Sequence, residues 1–325
     1  IRDYLKWATE DLYERVQAQF VELTGDETAM KPRALTRQAP IWDDEDDLFA
    51  RASATVHAEH VEAQADARHF VENVRERLLM LDKAVLVGEP GSGKSWMLQR
   101  LHADYARAWL RGTETGRSLI PVLVRLNQYN GGRFVDFVKA ALDMLAPYHD
   151  RLLREGRLVL LCDALNEMPR SAGQLNELIA YLKDAPYFVV SCRVRDYRDD
   201  LGDLKPMEQV LLRDLELPAI RELITRRLPG EQGETLWQEM GGTEALFTFW
   251  RQVNNEGEAE RFWDAEAAAQ SWRSSEADWR QMHSGARLIP LSRNPFMGDL
   301  LCKTYVESEG MLPGSRAALF GGFVK

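Results

Sequence analysis

Gly88-Glu89-Pro90-Gly91-Ser92-Gly93-Lys94-Ser95 is a complete G-x-x-x-x-G-K-[ST] phosphate loop. Its flanks supply the context that the motif needs. Ala84-Val85-Leu86-Val87 is a short apolar run of the kind that forms a strand buried on both faces. Beyond Ser95, the spacing of Trp96, Met97, Leu98, Leu101 and Tyr105 gives a helix an apolar stripe. A strand, a glycine-rich turn and a helix N-terminus together make an anion site. Glycines 88, 91 and 93 let the backbone N–H groups curl toward a phosphate, and the helix dipole favours its charge. Lys94 would reach the β- and γ-phosphates, and the Ser95 hydroxyl would ligate Mg²⁺. The bare pattern arises by chance in roughly one per cent of chains this long, before the context is counted. We therefore expect a nucleoside di- or triphosphate to contact Gly88, Glu89, Pro90, Gly91, Ser92, Gly93, Lys94, Ser95 and Trp96.

The rest of the composition narrows the class. A chain of 325 residues has material for two or three domains. Its 45% hydrophobic and 28% charged fractions are those of a globular protein. No run reaches bilayer-spanning length, and Ile1-Arg2-Asp3-Tyr4-Leu5-Lys6 does not start a signal peptide, so the sequence points to the cytoplasm and to no membrane partner. The first residue is not Met, as expected of a segment of a longer protein or of a processed one. A net charge of −10 disfavours nucleic acid as a partner of this segment. The run Asp43–Asp47 reads as a solvated loop, because five adjacent carboxylates cannot converge on one ion. Cys162, Cys192 and Cys302 lack pairing or metal-ligand spacing and read as small buried residues of a reducing compartment.

Along the chain, residues 1–80 read as an N-terminal helical region. Leu5, Leu12, Val16, Phe20 and Leu23 mark a first helix, followed by a polar stretch and a long helix from about Leu48 to Leu81 that carries His57, His60 and His69. Residues 81–215 alternate strand and helix. Strands are expected at Ala84–Val87, Leu119–Leu126, Leu158–Cys162, Tyr187–Cys192 and Glu208–Leu212, with helices at Trp96–Leu110, Phe134–Leu145 and Gln174–Lys183. Apolar strands joined by crossover helices give a parallel sheet covered on both faces, a three-layer α/β fold. From residue 216 to 325 only helical patterns remain, including a tryptophan-rich stretch (Trp237, Trp250, Trp263, Trp272, Trp279) that reads as helix-packing anchors.

Two further constellations belong to the α/β segment. Leu158-Val159-Leu160-Leu161-Cys162-Asp163 is an apolar strand ending in a carboxylate, and Glu167 follows four residues later. Asp163 suits the Mg²⁺ shell at a strand tip beside the phosphate loop. Glu167 either orients and deprotonates an attacking water or caps a turn before Pro169; the spacing favours the first. The next strand ends at Arg193, a cation able to face a γ-phosphate, whereas Arg195 and Arg198 read as surface ion-pair partners.

Taken in order, Gly-Glu-Pro-Gly-Ser-Gly-Lys-Ser (88–95), Leu-Leu-Cys-Asp-Ala-Leu-Asn-Glu (160–167) and Val-Val-Ser-Cys-Arg-Val-Arg-Asp-Tyr (189–197) resemble a NACHT domain of the STAND class of P-loop NTPases. Leu212–Ile220 resembles the entry to that family's helical domain, and Leu291–Cys302 its later proline-containing motif. Arg316–Val324 resembles the segment before a winged helix. The resemblance covers about residues 80–325. It implies an AAA+-like P-loop NTPase fold, binding of ATP and ADP with Mg²⁺, and slow hydrolysis. It also implies self-association on activation, triggered by a ligand sensed outside this segment, in anti-phage or innate immune defence. Pro295 would lie on the adenine and ribose side of the nucleotide. Where the family often has two acidic residues, this chain has Asn166 before Glu167. The main alternative is a mechanical AAA-type ATPase or loader, which would need an arginine finger that the sequence does not identify. A GTPase would need an Asn-Lys-x-Asp signature, which is absent, and a small-molecule kinase would need a lid.

Overall fold

The computed structural model describes residues 1–6, 21–29, 69–71, 73–111, 119–169, 172–197, 201–204, 206–255, 262–263 and 288–312. Its centre is a seven-stranded sheet. The strands are β1 (Gly25–Ala29), β2 (His69–Val71), β3 (Lys83–Gly88), β4 (Ile120–Arg125), β5 (Leu158–Asp163), β6 (Tyr187–Arg193) and β7 (Glu208–Leu212), in the spatial order β2-β1-β7-β3-β6-β5-β4. The five from β7 to β4 run parallel, and β1 and β2 add antiparallel at one edge. All five parallel strands match the sequence expectation to within a residue or two.

Side chains alternate across the sheet and feed two apolar cores. Ala84 and Leu86 of β3 join the core containing Met97, Leu98 and Leu101 of helix α2, while Val85 and Val87 join the opposite core with Val122, Val190 and Phe134. Both faces are therefore dry, which is why the strands read as continuous apolar runs. Among the described residues the helices include α1 (Val74–Met80), α2 (Lys94–Arg111), α3 (Phe134–Leu142), α4 (His149–Arg154), α5 (Ala172–Asp184), α6 (Leu217–Arg227), α7 (Glu231–Glu239), α8 (Glu244–Asn255), α9 (Leu288–Leu291) and α10 (Pro295–Glu307). Helices α6 to α10 share one core with α1, α2 and their face of the sheet, so the C-terminal helical region is packed onto the α/β layer. Among the described residues no helix is long and apolar enough to cross a membrane.

The N-terminal expectation needs correction. His69–Val71 is a strand where a helix from Leu48 to Leu81 was expected, and the helix at this point starts only at Val74. Asn73 caps it, its side chain accepting the Glu76 N–H. Residues 2–6 are helical, as the first helix requires, and Leu12, Val16 and Phe20 lie outside the described residues. Val21–Leu23, expected to close that helix, is not helical, and Gly25–Ala29 pairs with β7. Backbone bonds from Val74 N–H to Leu23 O and from Arg213 N–H to Thr24 O hold the segment in place. His57, His60, the run Asp43–Asp47 and Arg316–Val324 lie outside the described residues. The helix expected over Phe134–Leu145 ends at Leu142 and tightens into a 3₁₀ turn that contains Pro147.

Trp237 is fully buried, and the indole N–H groups of Trp250 and Trp263 both donate to Glu216 Oε2, at 3.2 and 3.0 Å. Arg293 stacks over Trp263, 4.5 Å from the ring centre, and its carbonyl accepts the Leu215 N–H. The tryptophans in this set are packing anchors at the junction between β7 and the helices. Trp272 and Trp279 lie outside the described residues.

His102 of α2 is buried, and its Nδ1 has no hydrogen-bond partner among the described residues. Burial lowers its pKa from 6.5 to about 4. The unfolded chain thus takes up a proton near pH 6.5 that the native state refuses until about pH 4. Stability contributed by neutral His102 is complete above pH 6.5 and is expected to fall by roughly 1.4 kcal/mol per pH unit on the way down to pH 4. Urea unfolding midpoints across this range should reveal the slope, and His102→Gln should flatten it.

Candidate functional site

β3 is the first parallel strand in the chain, yet it sits inside the sheet, between β7 and β6. The chain leaves it for the far edge at β4, returns through β5 and β6, and then crosses to β7. The loop after β3 therefore opens at the point where strand order reverses, where α/β sheets form a crevice at their carboxyl ends. β6 lies between β3 and β5. Arg193 is consequently on the strand next to the phosphate loop, and Asp163 is one strand further out, a correction to the expectation that the Asp163 strand adjoins the loop. The register makes Arg193 the Cα partner of Gly88 itself.

The loop is a cradle with no room for side chains at its turns. A Cβ at Gly88 would lie 2.5 Å from Ser92 Oγ, and one at Gly91 would lie 2.5 Å from Asn294 Oδ1. Gly91 and Gly93 have φ of +79° and +95°, a left-handed backbone that glycine adopts without steric cost. Lys94 opens α2, an 18-residue helix with no acidic residue in its first turn, so the positive end of its dipole faces the loop. The Lys94 ammonium donates to Gly88 O and Glu89 O, both at 2.8 Å, and lies 3.4 Å from Ser92 Oγ. Its pKa is lowered, first by burial and next by the Arg193 charge. Ser95 and Trp96 are exposed at the mouth.

The tips of β5 and β6 are tied together. Ser191 Oγ donates to Asp163 Oδ1 at 2.6 Å and accepts the Ala164 N–H at 2.8 Å. The Arg193 N–H donates to Asn166 Oδ1 at 3.2 Å, and Arg193 Nη2 donates to Glu167 Oε1 at 3.2 Å. Both side chains of the Arg193–Glu167 pair are 44% exposed, so its own contribution to stability is small. Glu167 lies in a 3₁₀ turn and faces the β6 tip. Arg195 is exposed, and Arg198 lies outside the described residues.

Pro295 is the first residue of α10, and its neighbours carry the contact to the loop. Asn294 caps α10 with Oδ1, while its Nδ2 donates to Pro90 O at 2.8 Å. The Phe296 N–H donates to Gly91 O at 3.2 Å. Trp96 meets the helical region too, with the Arg227 guanidinium 5.7 Å from its ring centre and Arg227 paired with Asp299 at 2.8 Å. The quoted motifs include Asn294 and Ser191 but give a role only to Pro295, because the partners of Asn294 and Ser191 are 204 and 28 residues away in sequence.

Asp163 at the β5 tip and exposed Ser95 in the first turn of α2 offer one carboxylate and one hydroxyl, donors of the kind a Mg²⁺ arriving with a polyphosphate would use, with phosphates and water supplying the rest. Cys162 and Cys302 are buried, and their thiols are pushed up to about 12 by burial, which leaves them unreactive. A cavity of about 310 Å³ between Arg221, Glu234, Trp237 and Phe247 belongs to the helical region and includes none of these residues.

No protein-family model matches the sequence, and no curated protein matches it. Among solved structures, the chain is similar over 86% of its length to 82% of a variant of RuvB from Thermotoga maritima, at 14% identity and a TM-score of 0.33. It is similar over 73% of its length to 86% of AMPPCP-bound DnaA from Aquifex aeolicus, at 11% identity and a TM-score of 0.35. It is similar over 59% of its length to 68% of a chain of the E. coli MS115-1 HORMA:CdnC:Trip13 complex, at 17% identity and a TM-score of 0.33. Five parallel strands in the order β7-β3-β6-β5-β4, with a glycine-rich loop running from the crevice after β3 into a helix, give this chain an α/β P-loop NTPase fold.

Proposed function

We propose that this chain is a nucleotide switch that binds ATP and ADP with Mg²⁺ and hydrolyses ATP slowly. In this reading it controls self-association of a larger NACHT-bearing STAND protein acting in anti-phage or innate immune defence. The observation that carries the reading is the shared hydrogen bonding of loop and helices: Asn294 and Phe296 of the helical region hold Pro90 O and Gly91 O of the phosphate loop. A ligand that favours one loop geometry over another then also favours one placement of α10, which is the differential contact a two-state switch requires.

The chemistry follows from the same residues. Loop N–H groups, the α2 N-terminus, Lys94 and Arg193 supply positive potential for the phosphates. Ser95 and Asp163 would hold Mg²⁺, which neutralises charge on the polyphosphate. Glu167 would accept the proton of the water that attacks the γ-phosphorus. The ion pair with Arg193 occupies that carboxylate, and Asn166 offers no second base, which suits slow turnover. Pro295, half-buried at the start of α10, would face the adenosine.

The test is the nucleotide that the purified protein carries, read after denaturation by chromatography, together with its solution mass by light scattering. ADP or ATP is expected to co-purify, and the particle should be larger with ATP than with ADP. Retained guanine nucleotide would reject the adenine assignment, and one unchanged mass in both nucleotides would reject the switch.

A further inference from the structure

Ser191 is fully buried, on the face of β6 that also bears Val189 and joins the α2 core. A hydroxyl in such a place costs stability unless its bonds are made. Ser191 makes two, and both go to the tip of β5. Because the Ala164 N–H donates to Oγ, the hydroxyl proton is left for Asp163 Oδ1 at 2.6 Å, a charge-assisted bond. Ala164 has φ +63° and ψ +58°, a left-handed conformation that a residue with a Cβ adopts at a cost. This turn brings its N–H back onto Ser191 and carries the chain on to Asn166 and Glu167.

We propose that Ser191 is a positioning residue for the metal: by engaging Oδ1 it fixes the rotamer of Asp163 and leaves Oδ2 as the carboxylate oxygen available to the metal. The proposal rests on the reading that a Mg²⁺–nucleotide complex binds at the loop, and it gives a role to a residue that lies within the 189–197 motif and that the pairing of Cys162 with Val190 brings beside Asp163. Hydrogen-bond partners of metal-binding carboxylates commonly matter to metal affinity by a factor of about ten to a hundred.

The experiment titrates a fluorescent ATP analogue into the intact chain in EDTA and over a series of Mg²⁺ concentrations. Ser191→Ala is expected to leave affinity in EDTA within about twofold and to raise the Mg²⁺ concentration for half-maximal tightening about tenfold. Ser191→Thr, which keeps the hydroxyl on a β-branched side chain suited to a strand, should recover most of that shift. In an Asp163→Asn background Ser191→Ala should add less than about twofold. If alanine lowers the yield of folded protein, Ser191→Cys, of similar size and a weak donor, should show the same ordering. A Mg²⁺ midpoint unchanged in Ser191→Ala, or an equal loss in EDTA, would reduce Ser191 to a satisfied core hydroxyl and overturn the proposal. A wild type whose nucleotide affinity ignores Mg²⁺ would instead overturn the reading beneath it.

Discussion

Replacing Lys94 with alanine is expected to weaken ATP and ADP binding by at least about 100-fold while leaving the fold intact. The ammonium spans the base of the loop, donating to Gly88 O and Glu89 O and lying near Ser92 Oγ. Hydrogen bonds to a charged group are worth about 1.5–3 kcal/mol each, and a Lys–polyphosphate contact includes at least two, so a loss of about 3 kcal/mol or more is the expected scale. Lys94→Arg should not rescue binding, because a planar fork cannot replace a compact ammonium inside a tight loop. Isothermal titration with ADP, alongside circular dichroism and a melting curve, separates lost binding from lost fold. An affinity within about threefold of wild type would remove the loop from the proposed site.

The electrostatics give the same prediction a second basis. The chain carries a net charge of −10, yet two cations, Lys94 and Arg193, converge where β3 and β6 end side by side. Burial and the Arg193 charge both disfavour protonated Lys94, so this arrangement is costly in itself. A polyanion in the loop would offset that cost, and in a partly desolvated cleft it would do so more strongly than in open solvent.

How much of this could be read beforehand depended on where each signal resides. The loop, β5 and β6 announced themselves because strands buried on both faces are apolar throughout and end in charged residues at the crevice. β1 did not, for Gly25-Asp26-Glu27-Thr28-Ala29 is polar and holds its place by pairing with β7 at the edge of the sheet. Its glycine is required by a contact invisible in sequence, since a Cβ there would lie 2.5 Å from Leu211 O. His69–Val71 is only three residues long, too short for periodicity to outweigh an adjoining helical pattern. The insertion of β6 between β3 and β5 is a property of topology. It makes Arg193, rather than Asp163, the immediate neighbour of the loop, and it gives Ser191 its partner.

Glu167→Gln should retain ATP binding within about threefold and reduce hydrolysis by at least about 100-fold. The substitution keeps the side-chain oxygen that accepts from Arg193 at 3.2 Å, so the tie between the β5 and β6 tips survives. It removes the carboxylate that would take a proton from water, and a positioned general base contributes about 10²–10⁴-fold. With Asn166 beside it in place of a second acid, no neighbouring side chain in the turn Leu165–Glu167 can substitute. Asn166→Asp is the informative companion: a second carboxylate should raise turnover if proton acceptance limits the rate. The bond that Asn166 Oδ1 accepts from the Arg193 N–H should survive that change, since a carboxylate oxygen accepts equally well. Single-turnover phosphate release from pre-bound ATP measures both variants without interference from product exchange. Unchanged release in Glu167→Gln would assign Glu167 to holding Arg193 in place and leave proton transfer to solvent.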